Sequence, residues 1–155
     1  SIMVGATKIG LVWAMLCLSL TLVAYLMLKR YQIETLFFAI AMGLSSILNP
    51  VLKNIFDRER PTLLRLIDIS GFSFPSGHAM GATSYFGSII YILNRHDSGI
   101  SKGVLIGLSA LFILLISTSR VYLGVHYPTD IIAGIIGGAF CIVLSTLILK
   151  KQLAI

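Results

Sequence analysis

Three short stretches hold most of the residues that could do chemistry on an anion. Lys53 and Arg60, with Pro61 following, form the first, and Pro75-Ser76-Gly77-His78 forms the second. The third is residues 119–130, SRVYLGVHYPTD, which brings Arg120, His126 and Asp130 together between two long apolar runs. Fixed cations at helix ends, free backbone N–H groups and the positive end of a helix dipole all favour a phosphate. Ser76 can cap a helix that begins at Gly77, where the missing side chain lets the backbone come close to a ligand. Pro128 suits a first helical turn, which places His126 just before that helix and Asp130 inside its first turn.

An Asp so placed can accept a hydrogen bond from one nitrogen of His126 and leave the other free as nucleophile or base, the orienting logic of catalytic triads. Two histidines beside one phosphate then divide the labour. His126 attacks phosphorus and forms a phosphohistidine, while His78 protonates the leaving oxygen and later activates water. Lys53, Arg60 and Arg120 hold the equatorial oxygens.

These residues need elements to carry them, and the composition says which kind. Of 155 residues, 57% are hydrophobic and 12% charged, with a mean hydropathy of +0.95. Soluble domains carry roughly 25% charged residues, so the expected class is a polytopic all-α membrane protein with a single domain over residues 1–155. The net charge of +6 would suggest nucleic acid in a soluble protein. Here the basic residues lie at the ends of apolar runs, which points to membrane topology and excludes nucleic acid as a partner. Cys17 and Cys141 sit inside apolar runs and read as packing residues.

Five spans are expected. Ile9–Leu28 is long enough to cross ~30 Å of hydrocarbon. Thr35–Leu48 is shorter, with a kink or stop expected at Asn49-Pro50. The others are Gly77–Leu93, Gly103–Thr118 and Pro128–Leu149. Gly77 with Gly81, and Ala133 with Gly137, have the spacing of close helix contacts. Residues 63–69 read as a short interfacial piece. Five crossings put the 53–76 and 119–127 loops on one membrane face. That face carries Lys8, Lys53, Arg58, Arg60, Arg65 and Arg120, against Lys29, Arg30, Arg95, Lys102, Lys150 and Lys151 on the other. The tie breaks only if Lys53, Arg60 and Arg120 are kept for chemistry, which puts the reactive loops outside the cytoplasm.

Taken together, Lys53 with Arg60-Pro61, Pro75-Ser76-Gly77-His78, and Ser119-Arg120 with His126 and Asp130 resemble the three-part signature of the type 2 phosphatidic acid phosphatase superfamily. These are the lipid phosphate phosphatases, whose site is also similar to that of vanadium haloperoxidases. The match covers residues 53–130 and fills every signature position. It implies an integral membrane phosphatase, in a bacterial cytoplasmic membrane, that hydrolyses a lipid phosphate or diphosphate without metal or other cofactor. Its substrates would be of the undecaprenyl diphosphate, phosphatidylglycerophosphate, phosphatidic acid or lipid A phosphate type. His126 would be nucleophile, Asp130 its orienter and His78 the general acid, with Lys53, Arg60, Ser76, Gly77 and Arg120 binding phosphate. The family has six spans, so an N-terminal helix is expected to be missing from this chain.

The remaining polar and aromatic residues read more plainly. Arg58 and Glu59 read as a solvated or ion-paired face, Asp57 as structural, and His96 as a plain loop residue beside Asp97. Trp13, Tyr25 and Tyr91 read as packing or interface residues, and Tyr122 and Tyr127 as either packing or substrate path. An anion transporter would place charges mid-span, at roughly 2.5–3.5 kcal/mol each, whereas the span centres here are uncharged. A non-catalytic head-group binder would not need the His–His–Asp set.

Overall fold

The computed structural model describes residues 2–62, 65–67, 69–96 and 100–153, with side chains from Ala14 onward except at residues 100 and 101. The described residues form six helices in chain order: α1 Ile2–Leu28, α2 Gln32–Phe56, α3 Gly77–His96, α4 Ile100–Tyr122, α5 Pro128–Ile148 and the short α6 Lys150–Leu153. The chain is all-helical, as its composition requires. Gln32–Phe56, Lys102–Tyr122 and Pro128–Ile148 are each long and apolar enough to cross a membrane, and Ala14–Leu28 is a shorter apolar helix. The 20-residue α3 reaches ~30 Å at 1.5 Å per residue. It can be less apolar because it is the central helix, packed against α2, α4 and α5.

Backbone-to-backbone contact makes that centre. A Cβ on Gly134 would lie 2.7 Å from the Ser76 carbonyl oxygen and 2.9 Å from Ala79 Cβ. One on Gly138 would lie 2.6 Å from the Met80 carbonyl oxygen. Only glycine lets α5 lie this close to α3. Gly134 and Gly138 thus make the closest approach, and of the expected Ala133 and Gly137, Gly137 also faces α3, where a Cβ would lie 3.2 Å from Met80 Cε. Gly81, expected in a helix contact, has open space around its Cα and lines a cavity.

Two boundaries differ from expectation. α2 runs through Pro50 to Phe56. Proline deletes one helical N–H, and packing across the bundle compensates for the loss. Asn49 contributes by donating its amide to the Pro75 carbonyl at 3.3 Å. α4 runs on to Tyr122, so Ser119 and Arg120 belong to its last turn and not to a loop. It ends in a Schellman turn, with Gly124 at φ +68°, its N–H bonded to the Val121 carbonyl (2.9 Å) and the Val125 N–H to the Arg120 carbonyl (3.2 Å). This reversal sends the chain back from Arg120 to His126 in six residues.

The far end of the bundle is closed by a core of Leu26, Phe37, Ile92, Leu149 and Leu153. His96 is no loop residue. It ends α3, stacks on Tyr31 (4.4 Å between centroids) and lies 2.6 Å from the carboxylate of Glu34, which is buried at the start of α2. Tyr91 packs on Phe37, while Tyr25 is exposed. Of the expected interfacial piece, Leu63, Leu64 and Asp68 lie outside the described residues, as do Asp97 and the side chains of Lys8 and Trp13. Leu66 is exposed, and its N–H bonds the Leu123 carbonyl at 3.1 Å.

Candidate active site

The ends of α2 and α4, the starts of α3 and α5, the described residues between 57 and 76, and the 123–127 loop meet on one face. α5 begins at Pro128, with Tyr127 as N-cap. Asp130, in its first turn, returns one oxygen, Oδ2, to the Tyr127 N–H at 2.9 Å, the carboxylate half of a capping box. The same oxygen lies 3.3 Å from His126 Nδ1. Asp130 is fully buried and His126 is 4% exposed.

The other ring nitrogen of His126, Nε2, lies 3.3 Å from Arg60 Nη1. A guanidinium nitrogen only donates, so Nε2 must be the acceptor and Nδ1 must carry the proton. The tautomer fixed between Asp130 and Arg60 therefore leaves a lone pair on Nε2. Burial, reinforced by the Arg60 charge and opposed by the Asp130 hydrogen bond, pushes the His126 pKa down to about 4, so the ring is neutral at ordinary pH.

The cations are positioned by neutral acceptors. Lys53 Nζ donates to the Phe72 carbonyl at 2.6 Å. Arg60 donates through Nε to the Gly71 carbonyl (2.9 Å) and through Nη1 to the Val125 carbonyl (3.0 Å). Carbonyl oxygens orient these groups without cancelling their charge. Burial, with the nearby cations Arg65 and Arg120, lowers the Arg60 pKa. Arg120 is 7% exposed, and its buried Nε has no hydrogen-bond partner among the described residues. A buried donor without an acceptor costs about 1–3 kcal/mol, and an anion would satisfy it.

α3 supplies the remaining wall. Ser76 is its fully buried N-cap, with Oγ 3.4 Å from the Ala79 N–H and its own N–H bonded to the Asp130 carbonyl at 3.0 Å. The N–H groups of Gly77 and His78, at the helix start, have no acceptor within the helix. A Cβ on Gly77 would lie 2.9 Å from Asn49 Oδ1, so close approach explains glycine there.

Lys53, Arg60, Gly77, His78 and His126 line one cavity of about 440 Å³. It continues along Gly81, Ala82, Met42, Ser46, Ile116, Met15 and Leu16, between α1, α2, α3 and α4. Polar at one end and largely apolar along its length, it has the form of a site for an amphiphile. The structure thus brings five of the eight expected site residues onto the cavity wall. Ser76 and Asp130 are buried behind it, and Arg120 lies close enough to act on Arg60. Tyr122, at 81% exposure, points away from any enclosed path.

One residue has a partner that the sequence did not indicate. Arg58 was expected on a solvated or ion-paired face, yet its Nη1 sits 2.9 Å from the second oxygen of Asp130, Oδ1, and 2.7 Å from Thr129 Oγ1. Its guanidinium carbon lies 4.1 Å from the centre of the Tyr127 ring. Ion pairing was one of the two alternatives, but its partner is the buried carboxylate of the site. No spacing rule joins residues 72 apart. The nearest signal was a cation close to Arg60 in a chain short of acids.

Known proteins resemble this chain over most of its length. The PAP2 superfamily model matches residues 34–153. Phosphatidylglycerophosphatase B of Bacillus subtilis is 35% identical over 135 residues, 86% of this chain and 66% of that protein. An undecaprenyl-diphosphatase of Sulfolobus acidocaldarius is 34% identical over 110 residues, 70% of this chain and 50% of its own length. This chain therefore spans less than two thirds of the curated relatives it matches. The crystal structure of a transmembrane PAP2 type phosphatidylglycerolphosphate phosphatase from Bacillus subtilis matches with a TM-score of 0.81 at 33% identity, over 97% of this chain and 76% of that one.

Proposed function

Because this chain belongs to the PAP2 superfamily, we propose that it is an integral membrane phosphatase that releases phosphate from a lipid phosphate or diphosphate through a phosphohistidine. The observation that carries the reading is His126, clamped between Asp130 and Arg60 with a lone pair on Nε2, at the polar end of an amphiphile-shaped cavity.

The phosphoryl group sits among Lys53, Arg60, Arg120 and the N–H groups of Gly77 and His78, with the Ser76 hydroxyl free to donate its own proton. His126 Nε2 bonds to phosphorus as the phosphorus–oxygen bond to the lipid breaks, and His78 gives that oxygen a proton. Asp130 stabilises the charge left on the imidazole ring. Water then attacks phosphorus, gives its proton to His78, and the nitrogen–phosphorus bond breaks to release phosphate. The fixed cations act mainly by positioning and by stabilising charge on the equatorial oxygens. No step calls for a metal, and the active face lies outside the cytoplasm.

The test is phosphate release from short-chain phosphatidic acid in detergent with chelator present. Wild type should turn over, and His126→Ala should lose at least ~10³-fold in kcat, the scale set by removal of a nucleophile. Full activity in His126→Ala would sink the mechanism, and activity lost on chelation and restored by Mg²⁺ would sink metal independence. The similarity to phosphatidylglycerophosphatase B puts phosphatidylglycerophosphate first in a substrate panel with undecaprenyl diphosphate, phosphatidic acid and a lipid A phosphate.

A further inference from the structure

Resting on that reading of His126, we infer that Arg58 is a positioning residue. It engages Asp130 Oδ1 so that Oδ2 is left for His126 and Arg60 is left for the substrate. Three observations support this. The Asp130 carboxylate is divided, Oδ1 to Arg58 at 2.9 Å and Oδ2 to His126 and the Tyr127 N–H. Arg58 is anchored well beyond a surface ion pair. Its guanidinium bonds Thr129 and covers the Tyr127 ring, while its carbonyl accepts the N–H of the fully buried Ser73 at 2.8 Å.

The third observation concerns charge. Arg60 already lies 3.3 Å from His126, which is itself 3.3 Å from Asp130. Without Arg58, the buried carboxylate would be uncompensated and Arg60 would be the nearest cation to neutralise it. A clamp drawn round the ring to Asp130 would leave both the phosphate and its own hydrogen bond to Nε2. Arg58 thus keeps the carboxylate and the clamp apart. It touches neither the reacting atoms nor the cavity wall.

The expected outcome for Arg58→Gln is a fall in kcat of about 10²-fold with little change in KM, the cost of a ~1 Å misplacement of a reacting group. Arg58→Lys should recover much of the loss, and Glu59→Gln, at the exposed neighbouring position, should leave kcat unchanged. Thr129→Val removes only the second anchor and should lower kcat about fivefold, the scale of one hydrogen bond. A second readout needs no turnover. Carbethoxylation of His126 by diethyl pyrocarbonate, followed by mass spectrometry, reports the pH at which its ring becomes nucleophilic. Losing Arg58 draws Arg60 off Nε2 towards Asp130, so its charge no longer opposes protonation at that nitrogen and the protonated ring is stabilised. The midpoint should therefore move to higher pH in Arg58→Gln. A midpoint unchanged from wild type overturns the inference whether or not the protein hydrolyses any lipid. So does a loss of activity carried wholly by KM, or an unaltered kcat in Thr129→Val should Arg58→Gln not purify folded. Failure of the phosphatase reading would be seen separately, as an inactive wild type or a fully active His126→Ala.

Discussion

His126 carries the clearest residue-scale consequence. The attack proposed for it requires the neutral ring, and its pKa is lowered from 6.5 to about 4, by burial first and by the Arg60 charge second. A lowered pKa keeps the nucleophile unprotonated until pH falls through that value. The acid limb of kcat/KM, which reports the free enzyme, should therefore lie near pH 4. An acid limb near 6.5 that persists once the substrate phosphate's own ionisation is allowed for would contradict this environment for the ring. The pairing with Asp130 was legible because both residues fall within one turn of a helix start marked by Pro128. Arg58 was not, because its carboxylate partner comes from the other end of the fold. From sequence alone it resembled Glu59 beside it.

At the scale of elements, helix existence was readable from apolar run length, while ends and contact registers were not. Pro50 suggested a stop, but a single missing N–H matters less than the packing of α2 beyond it, which carries Lys53 to the site. Of the small pair expected in α5, Gly137 does face α3, but Gly134 and Gly138 make the closest backbone approach, because both four-residue pairs are small and only the other helix decides between them. Gly134→Val tests that register. The added side chain meets the Ser76 carbonyl and Ala79, backbone and short side chain that cannot swing away. It should destabilise by about 1–3 kcal/mol, read as a lower unfolding temperature in detergent, and reduce activity by shifting α3 against His126. Gly43→Ala, with nothing within 4 Å, should be neutral or slightly stabilising. At the far end, the Glu34–His96 contact joins the start of α2 to the end of α3. Glu34→Gln should cost about 1–3 kcal/mol and leave kcat unchanged. A loss of kcat would mean that the two ends of the bundle are coupled.

For the whole molecule, the described helices place the ends of α2 and α4 with the starts of α3 and α5 on one face, which the count of spans anticipated. Which side of the membrane that face meets rests on charge, and labelling can decide it. With Cys17 and Cys141 replaced, Thr62→Cys on the active face should react with a membrane-impermeant maleimide in intact cells. Asn94→Cys should react only after permeabilisation. The reverse pattern would put the site in the cytoplasm. The cavity adds a consequence of its own. It is walled by residues of four helices, with the cations at only one end. A lipid that fits it never has to leave the membrane to reach His126. Encounter is then a two-dimensional search, and the rate follows the mole fraction of substrate in its host phase. Diluting that lipid with inert amphiphile should slow the enzyme even when its amount per volume of solution is held constant.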